Sequence, residues 1–237
     1  MPSDPLVPHS CSTCDMRHLR AFCDLSGPAL ADYAAIGVEA SFQRGATLFR
    51  EEDRPDAVLI LCSGQVKLSC SSREGKTLIL KMAMPGDVLG LGAVVAGTPY
   101  EVTAETVMPS RVKSIRRPDF LAFLQQHGES SLHAARSLAG DYKSTFLDAR
   151  RLALSGSAAG RLASILLEWG RAASACGQQT EMRFTMALTH EELANLIGST
   201  RETITRTLTR FKKNHLIEVR GSSIIILAPQ QLEELAA

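Results

Sequence analysis

The 237-residue sequence predicts an α+β protein: a β-roll of the double-stranded jelly-roll type, one long helix, and a C-terminal winged helix-turn-helix. Three observations predict it. Short apolar runs separated by glycine-bearing turns fill residues 38–116, an apolar seam at alternating spacings of three and four runs from Leu132 to Ala153, and two capped amphipathic segments meet at Gly198.

Residues 1–28 are rich in Pro, Ser and Cys and close on Ser26-Gly27-Pro28, so they read as a separate segment. A short amphipathic helix is expected over residues 29–37, with Leu30, Tyr33 and Ala34 on one side. The roll domain spans residues 29–128. Its strands show as Val58-Leu59-Ile60-Leu61, Val66-Lys67-Leu68 and Leu78-Ile79-Leu80, set between turn markers Ser63-Gly64, Glu74-Gly75 and Pro85-Gly86-Asp87. Strands this short and this regularly spaced favour a sandwich or roll over a parallel βαβ sheet.

Residues 129–154 form the long helix. Leu132, Ala135, Ala139, Tyr142, Phe146, Ala149 and Ala153 repeat as the a and d positions of three heptads. A strict seam is narrower than the stripe of an ordinary surface helix, so it predicts a two-stranded dimer interface. A helix buried against its own domain is the alternative. Leu154-Ser155-Gly156-Ser157 then breaks the pattern and marks a hinge, before a further helix from Ala158 to Ala173.

The last domain is assigned to residues 155–237. Thr189 with Glu192, and Ser199 with Glu202, have capping-box spacing, in which a hydroxyl accepts an orphan backbone N–H and a carboxylate returns the bond. Leu193, Ala194 and Ile197 stripe the first helix, Gly198 makes the turn, and Ile204, Leu208 and Phe211 give the second helix its inner face. Arg201, Glu202, Thr205, Arg206 and Thr209 are left outside. That face suits a DNA major groove, where an arginine donates twice to guanine and a carboxylate accepts from cytosine N4. Ser199 and Lys212 add further candidate DNA contacts, and Ile217-Glu218-Val219 and Ile224-Ile225-Ile226 flank a wing that carries Arg220.

The net charge of +1 is globally uninformative, because the basic residues Arg201, Arg206, Arg210, Lys212 and Lys213 are concentrated in one helix. No apolar run approaches the ~18 residues that cross a bilayer, and the N-terminus has no signal-peptide core. A cytoplasmic protein without a membrane partner is expected. Its six cysteines then read as thiols or metal ligands rather than disulfides. No P-loop, His-x-x-x-His or nucleophile–base arrangement is present, so an enzyme is not expected.

Arg201-Glu202-Thr203-x-x-Arg206 resembles the recognition helix of the CRP/FNR superfamily of bacterial transcription regulators. The roll carries the same likeness. Arg44-Gly45-x-x-Leu48-Phe49, Ser63-Gly64-x-Val66-Lys67-Leu68 and Gly86-Asp87-Val88-Leu89-Gly90 are similar to the cyclic-nucleotide-binding β-roll. The resemblance implies that Glu202 and Arg206 read a G·C pair, that a homodimer binds a palindromic operator on double-stranded DNA, and that RNA polymerase is a partner. It also implies two places for the signal. Where cAMP-binding relatives hold ribose and phosphate, this chain has Gly90-Leu91-Gly92 and Pro99-Tyr100-Glu101-Val102-Thr103, without the ribose carboxylate or the phosphate arginine. Cyclic AMP is therefore not expected, and the roll serves as scaffold or takes another small molecule.

The second place is the N-terminus. Cys11, Cys14 and Cys23 form C-x2-C-x8-C, a spacing at which two thiolates grip one metal face. FNR-type oxygen sensors carry a similar cluster that binds a [4Fe–4S] centre. The resemblance puts their fourth cysteine where this chain reads Arg111-Val112-Lys113-Ser114-Ile115. Cys62 is the tentative substitute, with Cys70, Asp15, Asp24 and His18 as other candidates. Cys62 also reads as a small core residue, and Cys176 as incidental. An iron–sulfur cluster responsive to oxygen, nitric oxide or redox state is the leading expectation; a zinc site, a thiol switch or no cofactor remain open. A haem is disfavoured inside the roll, where residues 19–126 contain no histidine, although His9 or His18 lies nearby in sequence.

Overall fold

Turn glycines and apolar runs become eight strands: β1 (Val38–Phe42), β2 (Thr47–Phe49), β3 (Ala57–Ser63), β4 (Val66–Ser71), β5 (Thr77–Ala83), β6 (Val88–Leu89), β7 (Thr103–Thr106) and β8 (Ser110–Arg116). In this computed structural model, which describes residues 11, 14, 17–20, 22–154, 157–175 and 182–236, they pair as two four-stranded sheets. The orders are β1-β8-β3-β6 and β2-β7-β4-β5, the roll that the sequence predicts. Strand β3 reads as a continuous apolar run because it is covered on both faces. Leu59 and Leu61 pack with Phe49, Val66 and Val112, whereas Val58 and Ile60 pack with Phe22, Tyr33 and Phe120.

That second packing is made by helices. α1 (Gly27–Ala35) starts two residues earlier than the sequence periodicity indicates, since Pro28 sits in its first turn, where a missing N–H goes unneeded. The helix stops at an extended Ile36, and Gly37 follows with φ of 81°. A side chain there would also strike the Ser114 carbonyl, so glycine is required twice over. α2 (Leu91–Ala96) lies between β6 and β7; α3 (Arg117–Gln126) and α4 (Gly128–Leu154) follow β8. Polar ties join α1 to the foot of α4. Ser26 Oγ donates to Glu129 at 3.2 Å, and His127 Nε2 lies 2.9 Å from Asp32 Oδ2.

The chain divides into two compact units, and the division falls inside α4, between Thr145 and Phe146. The second unit holds α5 (Ala158–Ala175), β9 (Met182–Thr185), α6 (His190–Ile197), α7 (Arg201–Lys213), β10 (Ile217–Arg220), β11 (Ser223–Ile226) and α8 (Pro229–Ala236). Its sheet runs β10-β11-β9 and its core takes Leu162, Leu166, Leu193, Ile197, Ile204 and Phe211. Trp169 meets Phe184 edge-on at 5.9 Å. The expected hinge residues Ser155 and Gly156, with Asp15, His9 and Cys176, lie outside the described residues. Among the described residues no helix is long and apolar enough to cross a membrane.

Helix starts are set by their caps. Thr189 Oγ1 accepts from Glu192 N at 3.2 Å, and Thr189 N donates to the Glu192 carboxylate at 2.9 Å, completing the predicted box. The second predicted box is not formed. Ser199 N bonds to Ala194 O and finishes α6, so α7 begins one residue later, with Thr200 Oγ1 accepting from Thr203 N. Thr189→Ala is expected to lower stability by about 1 kcal/mol, read as a reduced denaturant midpoint at unchanged slope. Thr200→Ala is expected to act likewise, while Ser199→Ala leaves the midpoint in place.

Candidate nucleic-acid interface and thiol site

The inner face of α7 is closed by Ile204, Thr207, Leu208 and Phe211. The opposite side leaves Arg201, Glu202, Thr205, Arg206 and Thr209 exposed together, as the periodicity requires. Their hydroxyls are occupied within the helix: Thr205 donates to Arg201 O at 3.0 Å and Thr209 to Thr205 O at 2.8 Å. His190 Nδ1, from the first residue of α6, lies 2.8 Å from the same Thr205 oxygen. Gly198 takes φ of 61°, which sets the turn between the two helices. Arg210, Lys212 and Lys213 occupy the last turn of α7, where cations also complement the helix dipole. On the wing, Arg220 is exposed, and its Nε and Nη2 hold Glu218 at 2.7 and 3.1 Å. That hydrogen bonding pulls the Glu218 carboxyl below its ordinary range. A phosphate reaching Arg220 has to displace this carboxylate. Ser199 is half-buried at the turn.

On the seam of α4, Leu132, Ala135, Ala139, Tyr142, Phe146 and Ala149 are all exposed, with Tyr142 at 74% and Phe146 at 65%. Among the described residues of the helix, Ser130 and Ala134 are buried on its other side. An apolar row outside and a packed row inside is the arrangement of a helix with two contact faces.

The four predicted thiols come together. Cys11, Cys14, Cys23 and Cys62 line one cavity with Arg17, Arg20, Tyr33, Glu39 and Arg111. Cys62 arrives there through a β-bulge: the β3–β8 register shifts between Leu61 and Ser63, which is where this residue stands. It is half-buried and lines this cavity, and it does not belong to the roll's core clusters. Asp24 and His18 are exposed and do not line the cavity, and Cys70 lies on β4, outside it. The segment Arg111–Ile115 supplies cations instead of a thiol. Lys113 Nζ donates to Cys11 Sγ at 3.6 Å and to Ala34 O at 3.2 Å, and it sits 4.9 Å over the Tyr33 ring. Sequence reading missed Glu39, Tyr33, Arg111 and Lys113. The Glu39–Lys113 pairing follows from β1–β8 register, which no local spacing encodes.

Burial raises the Cys11 thiol, with Lys113 opposing and Glu39 adding to the rise; burial also raises Cys23, against its hydrogen bond with Tyr33. Cys62 is pushed up to about 12 by burial, then by Glu39. These are protonated thiols as they stand, and a bound cation would reverse that preference. Glu39 Oε2 is buried without a hydrogen-bond partner and faces the same cavity. Four soft donors around one cavity, ringed by cations, fit a thiolate-ligated anionic group. Among the described residues no three donors converge closely enough to grip an ion, so binding needs the side chains to close in.

Around the roll's other expected site the buried side chains are largely apolar. Gly90 caps α2 in the left-handed region, and Leu91, Ala93 and Val94 are buried behind it. Tyr100 stacks on Phe49 at 4.0 Å and donates to Ala57 O, while Glu101 is exposed. Apolar packing thus replaces the polar groups that a buried phosphate needs.

Residues 39–127 match the cyclic nucleotide-binding domain and residues 160–235 match the Crp-like helix-turn-helix domain. The CRP-like cAMP-activated global transcriptional regulator of Mycobacterium tuberculosis is 29% identical over 197 residues, covering 82% of this chain and 86% of that protein. The transcriptional activator protein FnrL of Cereibacter sphaeroides is 27% identical over 232 residues, covering 94% and 90%. The solved structure of FixK2 from Bradyrhizobium japonicum superposes with a TM-score of 0.77 at 21% identity, covering 85% of this chain and 98% of that one. These relatives are regulators of transcription rather than enzymes.

Proposed function

The chain belongs to the CRP/FNR superfamily of transcription regulators, and from that premise we propose that it is a cytoplasmic homodimer whose signal enters through a thiol-ligated centre. The dimer uses two α7 helices, one DNA turn apart, to read a palindromic operator and engages RNA polymerase from there. Glu202 and Arg206 are assigned to one G·C pair, with Arg201, Thr205 and Thr209 beside them and Ser199, Lys212 and Arg220 toward the backbone. Leu132, Ala135, Ala139, Tyr142, Phe146 and Ala149 form the seam between protomers.

The observation behind the signal assignment is the meeting of Cys62 with Cys11, Cys14 and Cys23 at one cavity. These four hold a [4Fe–4S] cluster in this reading. When bound, such a cluster supplies sensitivity to oxygen, nitric oxide and redox state. The chain's own part is to exclude water with Tyr33, to surround the centre with cations, and to link the thiol segment to α4 through Ser26 and Glu129. Cyclic AMP is not the effector in this reading, because Gly90-Leu91-Gly92 and Pro99-Tyr100-Glu101-Val102-Thr103 carry neither a ribose carboxylate nor a phosphate arginine.

Anaerobic purification with iron, sulfide and zinc analysis tests the centre. Wild type is expected to be coloured, with iron and acid-labile sulfide in equal amounts. Cys62→Ser is expected to lose most of both, whereas Cys70→Ser keeps them. Zinc without sulfide would identify a zinc site, and a metal-free protein with full DNA affinity would overturn the assignment.

A further inference from the structure

Lys113 is 3% exposed, and an ammonium buried this deeply is costly unless a counter-ion faces it. Its contacts are a backbone carbonyl at 3.2 Å, the face of Tyr33 at 4.9 Å and the Cys11 sulfur at 3.6 Å. The carboxylate opposite it on β1, Glu39, leaves its Oε2 buried without a hydrogen bond rather than turning it to the lysine. The carbonyl and the ring soften the burial without neutralising it. The remaining neighbour is the sulfur of Cys11, which is negative once it ligates a metal.

We propose that Lys113 is the built-in counter-charge of the thiol centre, so that occupancy of the centre decides whether this buried ammonium is paired. The inference rests on the thiol-site reading above. Thiolates gathered on a metal carry net negative charge, and Cys11 brings that charge to the lysine. Loss of the centre strands the ammonium between β8 and α1, since Lys113 lies on the one and Ala34 on the other. The lysine thereby converts occupancy of the N-terminal segment into strain on the α1–β8 packing. It is a positioning residue, with no place in the ligand set.

Its signature is a pair of effects of opposite sign. Lys113→Met and Lys113→Gln remove the charge and keep much of the volume. Anaerobic metal-free protein titrated with cobalt(II) reports thiolate ligation through sulfur-to-metal charge-transfer absorption. Both variants are expected to bind cobalt roughly 10- to 100-fold more weakly than wild type, while their metal-free melting temperatures match or exceed that of wild type. A purely structural lysine gives the reverse: lower metal-free melting and unchanged cobalt affinity, which would overturn the proposal. Failure of both variants to fold would overturn it equally. Wild-type protein that shows no thiolate–cobalt absorption would instead remove the thiol-site reading, and this inference with it.

Discussion

Arg206→Ala and Glu202→Ala are each expected to cost about 1–3 kcal/mol on a specific operator and to relax selection at one base pair per half-site. Both residues are exposed on α7, away from Ile204, Leu208 and Phe211, so the fold does not depend on them. A bidentate arginine–guanine contact is directional, and its loss leaves the guanine acceptors O6 and N7 unmatched only in the specific complex. Affinity for random DNA should therefore change little beyond the loss of one charge. Lys212→Ala provides the contrast, since a phosphate contact weakens all sequences alike and lowers the salt slope by about one. Fluorescence anisotropy on an operator obtained by in vitro selection, on scrambled DNA, and across a salt series separates the two. Equal losses on operator and scrambled DNA for Arg206→Ala would show that this is not the reading face.

The reading helix was legible because everything that defines it is local. Apolar residues three and four apart fix its inner face, and Gly198 supplies the left-handed turn without help from distant chain. Even there the cap was displaced by one residue, because Ser199 N is claimed by Ala194 O in ending the previous helix. Two hydroxyls in a row made the choice depend on the exact end of α6. The roll was legible through its turn glycines. The thiol centre was only half legible. Cys11, Cys14 and Cys23 announce themselves by spacing, whereas Cys62 joins them through a bulge, and a bulge depends on the partner strand. Glu39 and Lys113 carry no sequence signal for that centre. Both stand on polar-looking positions of their strands, which normally face water; here α1 and the N-terminal segment cover that face, and Lys113 is buried as a result.

Tyr142→Glu combined with Phe146→Glu is expected to dissociate the dimer and to reduce operator affinity by roughly 10²- to 10⁴-fold, the gain that linking two half-site contacts provides. Among the described side chains, Tyr142 and Phe146 are the most exposed apolar ones on α4, and with Leu132 at 50% they form its outward row. Burying each such side chain contributes about 1.5–3 kcal/mol, and twofold symmetry counts every one twice. Glutamates at both positions would also bring like charges together across the seam. The inward row does not share these residues: Ser130 and Ala134 pack within the protomer, and Lys81 holds Asp141 at 2.8 Å. The variant should consequently keep its helicity and melt as a folded monomer, with sedimentation velocity giving the mass of a single chain. A variant that remains dimeric with undiminished operator affinity would place the protomer contact elsewhere. A monomer that still binds a full operator as tightly as wild type would break the link between seam and reading helix, because one α7 could then do alone what two are needed for.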